Sequence, residues 1–121
     1  MNKDKKQRLA WIIGTVAIVA VALALLATGG NGNYNPNKMT LFYSNSCPHC
    51  LNVENYIEAN KVQDRFDFQR LEVSASQRNS QRLIDKAQAC GLDTNSLGVP
   101  FLWTGDKCLM GDEAIIEFFK S

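Results

Sequence analysis

Four residues in the 121-residue chain have types and spacing that suit redox chemistry: Cys47, Pro48, His49 and Cys50. Two cysteines separated by two residues can close a disulfide on themselves, and the thiolate form of either is the nucleophile in exchange. If a helix begins here, Cys47 sits among unpaired backbone N–H groups at the positive end of the dipole, which favours thiolate. Cys50, one turn later on the same face, would be more shielded and would resolve a mixed disulfide. Pro48 suits the first turn, where its missing N–H costs nothing. His49, the single histidine of the chain, can stabilise a Cys47 thiolate and so make the disulfide more oxidising. Three readings of the pair stand side by side: a redox centre, an inert structural disulfide, and a Cu(I) or Zn(II) site of a metallochaperone-like module. A closed zinc site needs four ligands, and Cys90 and Cys108 lack paired spacing. No metal or organic cofactor is expected.

The flanking elements must put that pair at a strand-to-helix junction. Residues 39–43 form a short apolar run ending in Ser44-Asn45-Ser46, which reads as a buried strand and a turn. Helical spacing of Leu51, Tyr56 and Ile57 predicts a helix over 48–60. Residues 66–73 alternate and predict a second strand. Residues 75–90 predict a helix with Leu83, Ile84, Ala87 and Cys90 inward, closed by Gly91. Val99 to Trp103 enters a third strand, 104–107 turn, and 108–110 form a fourth. A last helix over 113–119 is expected with Asp112 as its cap. The fold class is therefore α/β, in the order β-α-β-α-β-β-α with a four-stranded mixed sheet. Cys90 and Cys108 are candidates for a second disulfide, for two independent buried thiols, or for a second exchange-active pair.

The first third of the chain has a different composition. Residues 1–8 carry Lys3, Lys5, Lys6 and Arg8 against Asp4, and residues 9–28 carry no charge. Twenty helical residues rise about 30 Å, the thickness of a bilayer core. This predicts a basic cytoplasmic tail (1–8) and a single transmembrane anchor or uncleaved signal (9–28). The domain would then lie on the extracytoplasmic side, periplasmic or at the cell surface. A cleaved signal, cut near Ala24 or Gly29, is the rival. Residues 29–38, rich in Gly and Asn, read as a flexible linker to a domain over 39–121. From residue 29 onward there are nine Lys and Arg against eleven Asp and Glu with no basic run, which argues against nucleic acid. The expected partners are exported protein thiols or disulfides, a redox partner that resets the pair, and the membrane through 9–28.

The run from Thr40 to Cys50, with Val99-Pro100 far downstream, resembles the thioredoxin superfamily across residues 39–121. The compact element order is similar to its glutaredoxin-like branch, and Cys-Pro-His-Cys resembles the active site of DsbA-type oxidases. The resemblance implies a thiol–disulfide oxidoreductase in which Cys47 and Cys50 are catalytic and Pro48 and His49 tune the pair. It further implies that Pro100 is a cis-proline facing the pair and that Val99 offers backbone groups to an extended substrate. The oxidase or isomerase direction is favoured over a reductase. Two departures qualify it. Leu41-Phe42 stand where thioredoxins often carry a buried acid, and Met110-Gly111-Asp112 keeps only part of the glutaredoxin pattern, which argues against glutathione use.

Overall fold

The structure, a computed structural model, describes residues 3–28 and 33–121, with side chains described for 3–21 and 33–121. The chain divides into two compact units, Met1–Tyr34 and Asn35–Ser121. The first contains helix α1, Lys3–Thr28. The second runs β1 (Thr40–Tyr43), α2 (Pro48–Ala59), β2 (Gln69–Glu72), α3 (Gln77–Ala89), β3 (Phe101–Trp103), β4 (Cys108–Met110) and α4 (Asp112–Lys120), with short 3-10 turns at Val62–Asp64 and Thr94–Ser96.

The expectation of a membrane-spanning helix is corrected. Among the described residues no helix is long and apolar enough to cross a membrane. Helix α1 starts inside the charged tail, so Lys3, Asp4, Lys5, Lys6 and Arg8 occupy its first turns. The side chains of 22–28 and the linker residues 29–32 lie outside the described residues. The anchor, the signal-anchor reading, the cytoplasmic tail and the membrane as a partner all rested on that span. So did the extracytoplasmic placement and the choice of exported proteins as substrates, and these expectations are withdrawn with it.

The second unit is a four-stranded mixed sheet with flanking helices, in the strand order β2-β1-β3-β4. Its topology resembles that of thioredoxin-like proteins. β1 pairs in parallel with β2 through the α2 crossover, and antiparallel with β3, which forms a hairpin with β4. The pleat sends successive side chains to opposite faces. Leu41 and Leu102 join Val53, Ile57, Val62, Ile115 and Phe119 beneath α2 and α4. Phe42 and Phe101 turn the other way, toward Leu83 and Ala87 of α3.

The second strand is shorter than the alternation over 66–73 suggests, because the chain serves both faces in turn. Phe66 and Phe68 stack on Phe119 before strand pairing begins, with ring centroids 5.4 Å away in each case. Leu71 and Val73 go to the α3 side. Gly91 closes α3 with φ +73. Its N–H bonds Gln88 O and the Leu92 N–H bonds Ala87 O, the two hydrogen bonds of a Schellman ending. Residues 35–38, expected in the linker, are tied to the folded unit. Gln69 Nε2 donates to Asn35 O at 2.7 Å, and Lys86 Nζ reaches Pro36 O.

Two stability predictions follow from this packing. Phe119→Ala removes a fully buried ring and should cost about 3–5 kcal/mol, read as a lower urea midpoint of the second unit's transition. The Cys90–Cys108 bond spans 18 residues. Its loss in a Cys90→Ser/Cys108→Ser variant should cost about 3 kcal/mol by loop entropy. An unchanged urea midpoint would show that the bond carries no stability.

Candidate functional site

Cys47 is the N-cap of α2, and Pro48 begins the helix. The turn before it is made locally: the Cys47 N–H bonds Ser44 O at 3.2 Å. The Cys50 N–H donates to Cys47 Sγ at 3.2 Å, so the sulfur takes the place that an oxygen fills in an ordinary cap. The Cys47 thiol lies 3.6 Å from Val99 O, within reach of a weak S–H hydrogen bond. Both cysteines are free thiols, Cys47 half-buried and Cys50 only 2% exposed. Burial first, and then the hydrogen bond with the Cys47 sulfur, pushes the Cys50 thiol up to about 12. The two sulfurs are thus chemically unequal: one is open to a reactant, and the other is sheltered and holds its proton.

The opposite wall comes from the entry to β3. The Val99–Pro100 peptide is cis, Pro100 is fully buried, and Val99 is half-buried with its carbonyl turned to Cys47. Pro100 O accepts from the Gly111 N–H at 3.0 Å, which couples this wall to the start of α4. Cys47, Cys50, Val99 and Pro100 therefore meet in one place, with Pro48 and His49 exposed at the mouth. Cys90 and Cys108 lie elsewhere. They form a disulfide with Cα atoms 6.2 Å apart that ties the end of α3 to β4.

Asp112 is not the helix cap that the local sequence suggests. Gly111, with φ +95, takes the cap position without a side-chain bond, and Asp112 is the first residue of α4. Its Oδ2 instead accepts from Asn52 Nδ2 at 2.9 Å and lies 3.1 Å from His49 Nδ1. The hydrogen bonds from Asn52 and His49 lower its carboxyl from 3.8 to about 2. Sequence reasoning also missed Glu54, one turn beyond Cys50. It forms an ion pair with Arg70 of β2, while its Oε1 is buried without a hydrogen-bond partner. Burial raises the Glu54 carboxyl despite the opposing Arg70 charge. The signal that could have found this pair is the even-numbered row Phe66, Phe68, Arg70, which continues one face of the sheet beneath α2.

Among the described residues no group of three or more His, Cys, Asp or Glu is gathered where it could hold a metal ion. Cys90 and Cys108, being bonded to each other, are not available as ligands. Two thiols at this spacing, one half-buried and one buried, have the chemistry needed to close a disulfide on themselves. No family model matches the chain, and no curated protein matches it.

Two expectations test this geometry. Iodoacetamide at pH 8 should modify Cys47 and leave Cys50 unmodified until denaturant opens the fold, as read by peptide mass mapping; equal labelling in the native protein would contradict the assigned inequality. The Asp112 carboxyl is lowered by folding, so its contribution to stability is present above pH 3.8 and is lost as pH falls through about 2. An acid titration of Asp112→Asn should lack that component, and an unchanged acid-unfolding curve would count against the His49–Asp112–Asn52 link.

Proposed function

We propose that this protein is a thiol–disulfide oxidoreductase acting on polypeptide sulfur through Cys47 and Cys50, and that residues 39–121 are a compact thioredoxin-superfamily domain. The observation that carries the reading is the inequality of the two sulfurs at the start of α2, the more open one lying 3.6 Å from the Val99 carbonyl. In the reducing direction, Cys47 thiolate attacks a substrate disulfide and releases one substrate thiolate. Cys50 then gives up its proton and attacks Cys47 Sγ. The second substrate sulfur leaves, and the 47–50 disulfide closes. In the oxidising direction a substrate thiolate attacks Cys47 Sγ of the disulfide form and Cys50 departs. A second substrate thiolate then attacks the substrate sulfur and frees Cys47. An extended peptide fits beside Val99, whose carbonyl already faces the attacking sulfur.

Cys50, buried and strongly protonated, suits the resolving role, because it stays silent until Cys47 holds a partner close. The sequence order of the pair supports the same division, since the N-cap sulfur is the one at the mouth.

The test is a trapping pair together with a reduction potential. Cys50→Ala should accumulate a mixed disulfide between Cys47 and a reduced, unfolded test protein activated with a mixed-disulfide label, whereas Cys47→Ala should accumulate none. Absence of adduct in both variants would reject the function. Equilibration of the full chain against glutathione buffers sets the direction: about −120 to −180 mV favours oxidase or isomerase work, and about −270 mV a reductase.

A further inference from the structure

His49 and Asp112 come from elements 63 residues apart in sequence, and their contact constrains where protons sit at the mouth of the site. The Asp112 carboxyl titrates at about 2 and is ionised at neutral pH. An ionised carboxylate only accepts hydrogen bonds. Asn52 Nδ2 already donates to Oδ2, so the His49 nitrogen beside that oxygen must donate as well. His49 Nδ1 therefore carries the proton, and in the neutral ring Nε2 is bare. Nε2 makes no hydrogen bond among the described residues, and the side chain is 70% exposed. The result is a ring held from behind by a carboxylate, with its basic nitrogen free, two residues from Cys47 on the first turn of α2.

We propose that His49 Nε2 is the general base that deprotonates an incoming thiol before it attacks Cys47 of the oxidised pair, and that Asp112 is the positioning residue that fixes the required tautomer and steadies the charged ring. The inference rests on the exchange function proposed above and adds a proton path to it. The substrate S–H bond breaks and its proton passes to Nε2. The sulfur then forms a bond to Cys47 Sγ, and the Cys47–Cys50 bond breaks with its electron pair going to Cys50. Cys50 takes a proton from solvent, and the His49 imidazolium returns one to solvent. The substrate sulfur is oxidised, Cys50 is reduced, and no net proton is gained or lost. In reverse the same imidazolium protonates the departing thiolate.

The titratable groups at this mouth are Cys47 and Cys50 at the start of α2, and Asp112 and Glu113 at the start of α4. The two adjoining loops, 44–46 and 97–100, bring no charged side chain. Asn52 holds the second hydrogen bond to Oδ2 without adding charge. The arrangement has the order of a base oriented by a third group that is used to activate nucleophiles elsewhere. Here the nucleophile arrives with the substrate.

The size of the effect has a ceiling. A thiol of ordinary pKa, about 8.5, is about 3% ionised at pH 7, so a base that ionised every arriving thiol would gain about thirtyfold. We expect about a tenfold gain at pH 7, falling to none above pH 9.5, where the thiol ionises unaided.

The experiment uses the full chain oxidised at Cys47–Cys50 and glutathione as the probe thiol, with acid-quenched mass spectrometry from pH 6 to 10. Wild type should react faster at pH 7 than the thiolate fraction of glutathione accounts for. Asp112→Asn and His49→Gln should each lose about tenfold at pH 7, follow the thiolate fraction instead, and meet wild type above pH 9.5. The double variant should lose no more than either alone. Profiles parallel to wild type at every pH would overturn the proposal, as would a loss that is uniform across pH. Should Asp112→Asn fail to fold, the exposed His49→Gln decides alone, and a wild-type profile in it overturns the proposal. A wild-type disulfide inert to glutathione at every pH would sink the exchange function itself. A reactive one with unmoved variants sinks only the proton path.

Discussion

The antiparallel register of β1 against β3 is the constraint on which the site depends. Leu41 faces Leu102 and Phe42 faces Phe101, so the end of β1 lies beside the beginning of β3. Whatever follows β1 must meet whatever precedes β3. The chain puts Cys47 in the first of these places and Val99-Pro100 in the second. The same register assigns each pair of facing side chains to one core, the leucines beneath α2 and α4, the phenylalanines beneath α3. A slip of one residue would exchange those faces and separate the sulfur from the proline together.

Packing α2 and α4 on one face of the sheet then makes the polar part of the site possible. Their N-termini converge, and the Gly111 N–H, bonded to Pro100 O, fixes where α4 starts. Asp112 follows directly and reaches across to His49 and Asn52. The two cysteines, the Val99–Pro100 wall and the carboxylate are therefore consecutive links of one hydrogen-bonded circuit. A disturbance of the α4 N-terminus is felt at the histidine without passing through the sulfurs.

Local signals in the sequence were enough for the strand-to-helix junction around Cys47, because proline in a first turn and a short apolar run are short-range features. They were also enough for the helix end at Gly91, where a positive φ demands a residue without a side chain. Asp112 was misread for the same reason: aspartate is a favoured cap, and nothing nearby reveals that Gly111 takes that position and lets the carboxylate reach across to α2. Its partners lie 60 and 63 residues away and become neighbours only when both helices choose the same face. Glu54 and Arg70 were hidden in the same way. The membrane span was expected from composition alone, and among the described residues no helix is long and apolar enough to cross a membrane.

The Cys90–Cys108 bond has a topological consequence. It closes a covalent ring that contains the exposed segment from Gly91 to Ser96, the cis-proline and all of β3. A protease nick in that exposed stretch would cut the ring but not divide the molecule, since the sulfur bridge still joins the two fragments. The wall facing Cys47 would stay joined to the N-terminal fragment through β3, β4 and Cys108 until a reductant reached the bridge. The same class of chemistry that is proposed for the site thus determines whether damage to its scaffold becomes visible.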